Sequence, residues 1–317
     1  MEGISRPPLS VVVPTHGTRD LVLRCLDSLA ASPVPGLEVI LVDDASRDGT
    51  AEAVGERHPQ VVVLINETPL RFTRSANLGL ARARGEVLLL LNSDTEVEPD
   101  GLGRLLAVFA REPRLGIAGA RLHYPGGSPQ WSGGREPSPA WFFALASGLP
   151  VLLERLPLYR RAKPLDPRTP LRVDWVTGAA MAFRRCVWEA VGPLDEGFRF
   201  YAQDLDFCLR ARRAGWEVEV RPELAVLHHH GATIGSAPGA RGRQNPELLW
   251  SDLLRWARKH HGRAWAARAE AALRAGCALR LGSRRLARPF VAAARREEWE
   301  EDDQAVREAL QGLAGGP

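Results

Sequence analysis

No two cysteines stand in a CxxC arrangement; the four present, Cys25, Cys186, Cys208 and Cys277, are scattered along 317 residues. Such scatter argues against a zinc cluster or a small disulfide scaffold and fits a reducing, cytoplasmic setting. Long apolar runs are missing as well. The longest, such as Val87-Leu88-Leu89-Leu90-Leu91, has the length of a buried strand and falls far short of the roughly 20 residues that span a bilayer. The first nine residues carry prolines and charge where a secretory signal would have a basic stretch and an apolar segment, so any membrane association is expected to be peripheral, at the inner face of the cell membrane. Charge of one sign is not in excess: 42 basic side chains face 38 acidic ones, and a net charge of +4 makes nucleic acid an unexpected partner. Both common glycine-based phosphate cradles are absent, GxGxxG after a strand and the GxxxxGK[ST] loop, so a nucleotide would need another anchor. No solenoid-type repeat is present.

What remains is an ordinary globular composition, 45% hydrophobic and 25% charged, with room for one catalytic domain and an appendage. Apolar periodicity predicts strands over residues 9–13, 38–42, 61–65 and 87–91, alternating with helices over 19–29, 51–57 and 73–84. This alternation predicts a mainly parallel sheet covered on both faces. A helix is expected over 99–111. Residues 124–170, rich in Gly, Pro, Trp and Arg, read as a variable loop region with a short helix near 141–149. Order returns at 173–183 and in a helix over 204–214, and a Gly-rich linker after Gly231 leads to helices over 246–281 and 286–313.

In open sheets of this kind ligands sit outside the carboxyl ends of the strands. Three polar clusters fall there: Pro14-Thr15-His16, Asp43-Asp44 and Asn92-Ser93-Asp94. A divalent cation held by few carboxylates can anchor a diphosphate, and Asp94 is the candidate ligand for Mg²⁺ or Mn²⁺.

Four segments, Val11-Val12-Val13-Pro14-Thr15-His16, Val42-Asp43-Asp44-Ala45-Ser46-Arg47-Asp48-Gly49-Thr50, Asn77-Leu78-Gly79 and Leu91-Asn92-Ser93-Asp94, resemble, in this order, the motifs of family 2 glycosyltransferases of GT-A fold. Gly178-Ala179-Ala180-Met181, Leu194-Asp195-Glu196-Gly197-Phe198 and Tyr201-Ala202-Gln203-Asp204-Leu205-Asp206-Phe207-Cys208-Leu209-Arg210 are similar to the acceptor-side motifs of the bacterial rhamnosyltransferase-like branch. The resemblance covers residues 9–233. It implies an α/β GT-A nucleotide-diphospho-sugar transferase fold, with a mainly parallel central sheet, helices on both faces and a C-terminal helical extension. Residues 1–233 would form the catalytic domain, its donor half ending near residue 98, and residues 234–317 the linker and helices.

The implied activity is inverting transfer of a sugar from a nucleotide-sugar donor, dTDP-rhamnose ahead of a UDP-sugar, to a glycan or lipid-linked glycan in polysaccharide biosynthesis. A sugar nucleotidyltransferase would want a Gly- and Arg-rich loop that residues 14–19 do not supply, whereas a non-catalytic glycan-binding scaffold of the same fold stays open. Position by position, the resemblance assigns Pro14, Thr15, Asp43, Asp44, Asn77, Asn92, Ser93 and Asp94 to the donor. Trp175, Gly178 and Gln203 fall to the acceptor, Asp94 and His228 to the metal, and Asp204 to the general base. Asp48 reads better as a helix cap. Asn92 and Gln203 stand where the family pattern has acids, each keeping an oxygen acceptor but no charge. A place at a helix N-terminus would lower the pKa of Asp204. Trp175 fits a core position as well as an acceptor wall. His229 and His230 read equally as exposed strand-end residues, and the Gly-rich stretch behind them as a lid. The basic C-terminal helices, with Trp250, Trp256 and Trp265, suit a solvated face, a homodimer contact or a peripheral membrane contact.

Overall fold

A computed structural model describes residues 6–149, 166–229 and 245–314. The linker and lid expected after Gly231, His230 itself, and residues 150–165 of the variable loop lie outside the described residues.

The first half follows the pattern read from periodicity. Strands β1 (Leu9–Thr15), β2 (Glu38–Asp43), β3 (Val62–Ile65) and β4 (Val87–Leu91) alternate with helices α1 (Arg19–Ala30), α2 (Thr50–Arg57) and α3 (Phe72–Arg82). β1 pairs in parallel with both β2 and β4, and β2 with β3. Their central residues are apolar on both faces because helices cover both: Val11, Val13, Leu41 and Leu89 belong to one core, Val12, Ile40, Val42, Leu88 and Leu90 to the other. Gly79 shows how closely α3 lies on the sheet, since a Cβ there would stand 2.4 Å from Val12 Cγ1 and 2.9 Å from Val42 Cγ2.

Beyond β4 the sheet turns mixed. β5 (Thr95–Val97), α4 (Gly101–Arg111), β6 (Leu115–His123), β7 (Gly133–Gly134), α5 (Pro139–Ser147), β8 (Leu171–Arg172), β9 (Trp175–Val176), β10 (Ala180–Arg184), α6 (Arg185–Val191), α7 (Gln203–Arg213) and β11 (Glu217–His228) follow. The main sheet runs β3-β2-β1-β4-β10-β6-β11-β5, with β8 paired to β11. β10 is antiparallel to β4 and β6, while β11 is parallel to β6. The sheet is therefore parallel through its first four strands and mixed beyond them. β6 was not expected from the pattern, and β11 is 12 residues long. Both carry polar residues such as Arg121, Glu219 and Arg221 that break the apolar run; Arg221, 3% exposed, is matched there by Glu112, Glu219 and Glu223. Residues 124–170 hold more order than a loop reading allows: β7 pairs with β9, and α5 starts at Ser138, whose hydroxyl caps Trp141 N–H.

Two compact units are present. The first comprises residues 1–135, 165–199 and 203–243. The second comprises residues 136–164, 200–202 and 244–317. In the second, α8 (Pro246–His261), α9 (Arg263–Ala287) and α10 (Ala293–Ala314) assemble with α5 around Phe142, Trp250 and fully buried Trp256. The single helix expected over 246–281 is two, because Gly262 takes φ +83° and ends α8. A helix expected from 286 begins at 293, after a short turn of 3-10 helix that contains Pro289. No helix among the described residues is long and apolar enough to cross a membrane.

Candidate functional site

The carboxyl ends of β1, β2 and β4 bring the three polar clusters together. Thr15, the last residue of β1, bonds through its hydroxyl to Thr18 at 2.7 Å, and Thr18 reaches Ser93 beyond β4 at 3.0 Å. The Thr15 carbonyl accepts from Asp44 N–H at 2.8 Å, and His16 Nδ1 lies 2.6 Å from the Asp44 carbonyl. Pro14 and Thr15 are buried in this junction.

Asp43 and Asp44 divide their work. Asp43 Oδ1 accepts from Ser46 N–H across Ala45, which is held at φ +60°. Asp44 Oδ1 accepts from the Asn66 amide at 2.8 Å, the Leu70 N–H at 2.7 Å and the Ser75 hydroxyl at 3.0 Å, and Oδ2 from Arg71 N–H at 2.8 Å. Burial works against the charge, but these donors outweigh it and hold the carboxyl below its usual range. Asp44 thus shapes the 66–71 loop, whose Arg71 sits at φ +70°. A nucleoside N–H reaching Asp44 would have to share Oδ2, which carries only one of the four bonds. The loop opens onto a cleft of about 250 Å³ lined by Leu70, Arg71, Arg74, Glu196, Phe198 and Arg199. Asp48 does cap: its carboxylate takes Thr50 N–H and Arg19 N–H, serving the starts of α2 and α1.

Asn77 does not reach this rim. Its amide donates to the Leu194 carbonyl at 2.9 Å and to Glu196 at 3.1 Å, and accepts Leu194 N–H at 3.1 Å. With Gly79 seated against the sheet, the Asn77-Leu78-Gly79 segment is a packing device that docks α3 and holds residues 194–196. The amide of Asn77, expected at the donor, makes its hydrogen bonds to that segment.

Asp94, 1% exposed, meets His228 at the end of β11: Oδ1 and Nε2 are 3.3 Å apart. Bonds of about 2.1 Å at right angles put two ligand atoms about 3 Å apart, so this spacing fits neighbouring positions on one divalent cation. One carboxylate oxygen with one imidazole nitrogen suits Mn²⁺ better than Ca²⁺. No cluster of three or more His, Cys, Asp or Glu side chains suited to a metal occurs among the described residues. The reading of His229 as an exposed strand-end residue gives way to a half-buried one, bonded to Glu96 at 2.7 Å.

Asn92 connects this end to the candidate base. Its N–H donates to the Ala179 carbonyl at 2.9 Å, and the next residue back, Gly178, donates its N–H to Asp204 Oδ2 at 2.8 Å. Asp204 Oδ1 accepts Leu205 N–H at 2.8 Å in the first turn of α7. The lowered pKa expected from the helix terminus is corrected: burial raises the Asp204 pKa and outweighs the backbone N–H bonds that lower it. Asp206 is fully buried and paired with Arg210 at 2.9 Å. Asn92 Oδ1 and Gln203 Oε1 are both buried without a hydrogen-bond partner among the described residues. Trp175 is half-buried, donating Nε1–H to the Arg135 carbonyl and meeting Trp131 edge-on at 5.0 Å.

Sequence reasoning missed Gln130. It sits 5% exposed beyond β6, bonded by both ends of its amide to His228. No periodicity or acid marks it, and it falls in the stretch read as a variable loop.

Residues 10–186 match the profile of Glycosyl transferase family 2. The chain is 29% identical to the N-acetylglucosaminyl-diphospho-decaprenol L-rhamnosyltransferase of Mycobacterium tuberculosis, over 87% of its own length and 94% of the relative's. It is 30% identical to the O-antigen biosynthesis protein RfbC of Myxococcus xanthus, and to a protein of Sinorhizobium fredii named y4gI, covering 18% and 27% of those longer chains. Among solved structures it is similar to a mannosyltransferase of Pyrobaculum calidifontis in complex with GDP-Man and Mn²⁺ (TM-score 0.51, 19% identity, 99% of this chain and 89% of that one). It is also similar to GalNAc-T7 with UDP, GalNAc and Mn²⁺ (TM-score 0.57, 16% identity, 80% and 48%). The fold is GT-A, and the chain belongs to glycosyl transferase family 2.

Proposed function

We propose that this family 2 glycosyltransferase is an inverting enzyme that passes a sugar from a nucleotide diphosphate donor to a glycan or lipid-linked glycan, dTDP-rhamnose being favoured over UDP-sugars. One observation carries the reading. Asp94 and His228 converge at one strand end, and Asp204 is tied to the same end through the Gly178–Ala179 peptide. A cation-holding pair and a proton acceptor on one rim are what inversion with a diphosphate leaving group requires. Rhamnose and a lipid-linked acceptor are supported by the name of the mycobacterial relative.

Asp204 takes the proton of the acceptor hydroxyl as that oxygen attacks the anomeric carbon from the face opposite the leaving group. Its raised pKa makes it a stronger base than a solvated aspartate. Asp94 and His228 would hold Mn²⁺ or Mg²⁺, which when bound neutralises the charge growing on the departing diphosphate. Pro14, Thr15, Asp43, Asp44, Asn92 and Ser93 frame the donor, and the arginine-lined cleft beside Asp44 suits its anionic part. Gly178, Gln203 and Trp175 border the acceptor side. In the second unit Leu286 and Phe290 are 78% and 88% exposed beside the exposed Arg285, an arrangement suited to peripheral contact with an anionic membrane carrying such an acceptor.

The test is nucleotide diphosphate release from dTDP-rhamnose and a panel of UDP-sugars, with Mn²⁺ or with chelator, and with and without an N-acetylglucosaminyl-diphospho-polyprenol acceptor. Metal- and acceptor-dependent release by the wild type, lost in Asp94→Asn, is the expected result. Donor binding without turnover under every condition would sink the proposal.

A further inference from the structure

We propose that Gln130 is a positioning residue for the cation site: it fixes His228 in the tautomer whose Nε2 lone pair faces Asp94. The inference rests on the reading of Asp94 and His228 as the cation-holding pair. It begins with the backbone. After β6 the chain reverses in a tight turn, with Tyr124 N–H on the Ser128 carbonyl, Gly127 N–H on the Tyr124 carbonyl, and Gly127 at φ +75°. Gln130 N–H then returns to the Leu122 carbonyl at 2.8 Å. In the parallel β6–β11 ladder Leu122 lies opposite Val226 and His123 opposite Leu227, so a residue folded back onto Leu122 arrives beside His228.

The contact settles which ring nitrogen carries the proton. Gln130 Nε2 lies 2.6 Å from the His228 backbone carbonyl, which only accepts, so this end of the amide is the NH₂ group. The other end, 2.9 Å from His228 Nδ1, is then the oxygen, which also only accepts. Nδ1 must therefore be the N–H, and in the neutral ring Nε2 keeps its lone pair. That lone pair faces the Asp94 carboxylate oxygen at 3.3 Å. A ring lone pair and a carboxylate oxygen at this spacing, on two buried side chains, suit a cation, and an orienting bond to the remote ring nitrogen is how metal-binding imidazoles are held. Gln130, Asp94 and His228 are 5%, 1% and 6% exposed, so bulk water does not compete for the arrangement.

Two substitutions separate this role from a merely structural one. Gln130→Leu removes both ends of the amide. Gln130→Glu keeps an acceptor for Nδ1–H and removes the donor to the carbonyl. Mn²⁺ affinity of the full chain is measured by the electron paramagnetic resonance signal of free Mn²⁺, and the His228 tautomer by two-bond proton–nitrogen NMR on the metal-free protein. Gln130→Leu is expected to weaken Mn²⁺ binding about 10- to 100-fold, the range that loss of an outer-shell partner produces, while the metal-free melting temperature holds within a few degrees. Gln130→Glu is expected to stay within about threefold of the wild type, because a carboxylate orients a histidine ligand in the same way. Wild-type affinity in Gln130→Leu, or an Nε2–H tautomer in the wild type, overturns the inference. If the wild type binds no Mn²⁺, the reading of the pair as a cation site fails, and the NMR result still decides whether Gln130 sets the tautomer.

Discussion

Replacing Asp204 with Asn separates the two consequences of burying a carboxylate at the end of the rim. The variant keeps the size of the side chain and removes its basicity. A positioned general base contributes about 10²- to 10⁴-fold to a rate, so acceptor-dependent turnover should fall by that factor while donor affinity stays near that of the wild type. The acidic limb of the wild-type rate profile should lie above the range of a solvated aspartate, because burial raises the pKa of this group.

The stability of the same variant tests the electrostatics independently of chemistry. A carboxyl whose pKa is raised on folding stabilises the protein fully below its unfolded value, about 3.9, and loses that contribution as pH rises through the folded value. Asparagine does not titrate. The wild type should therefore gain melting temperature relative to Asp204→Asn as pH is lowered from neutral toward 4. One constant offset is superimposed: Gly178 N–H and Leu205 N–H each meet a carboxylate oxygen, and an amide can accept only one of them. Losing the other costs about 1 kcal/mol, or about 2–4 °C for a domain of 150–250 residues. Melting scans from pH 4 to 8 measure both components. A difference that shrinks on acidification would mean that the helix terminus, not burial, governs the carboxyl and would refute the reasoning. Turnover within about tenfold of the wild type would remove Asp204 from the base role.

Gly79→Ala sets helix propensity against packing. Alanine favours a helix by about 0.5–1 kcal/mol, but its Cβ would stand 2.4 Å from Val12 Cγ1, so overpacking of about 1–3 kcal/mol should dominate and lower the melting temperature. A stabilised variant would show that α3 yields easily. Arg221→Met should destabilise by about 3 kcal/mol, the low end for breaking a buried ion pair, because Glu112 is 40% exposed and partly solvated when its partner is lost. Urea unfolding measures that loss, which should shrink at pH 4 as the three carboxylates protonate. Asp44→Ala removes the acceptor of four bonds from the 66–71 loop and α3, so the donor KM should rise well before kcat changes; an unaltered KM would detach that loop from the donor.

What could be read in advance follows from which residues leave a periodic trace. β1 to β4 are apolar on both faces and separated by amphipathic helices, so their order, and the rim at their carboxyl ends, are legible in the chain. β6 and β11 mix charge into the strand, with Arg121 and Arg221 matched by carboxylates from elsewhere, and no local pattern announces them. Residue type alone also could not divide the acids. Asp44 and Asp48 both follow β2, and only the folded contacts show one holding a loop across the rim and the other capping two helices. Asn77 looked like a ligand residue because it belongs to a recognisable segment, yet in the fold its amide binds Leu194 and Glu196.

Asn92 and Gln203 sharpen the same point. Each stands where an acid was expected, and each has a buried side-chain oxygen with no hydrogen-bond partner among the described residues, a condition that costs about 1–3 kcal/mol. Residues chosen for stability alone would have been apolar at those positions. Their neighbours are Asp94 on one side, 1% exposed, and Asp204 on the other, half-buried. A second and third carboxylate at 92 and 203 would repel those charges, raising their pKa values and disfavouring the ionised state that holding a cation and accepting a proton both need. An amide keeps the acceptor oxygen and removes the repulsion. The departures from the acidic pattern thus lower the net negative charge of the rim.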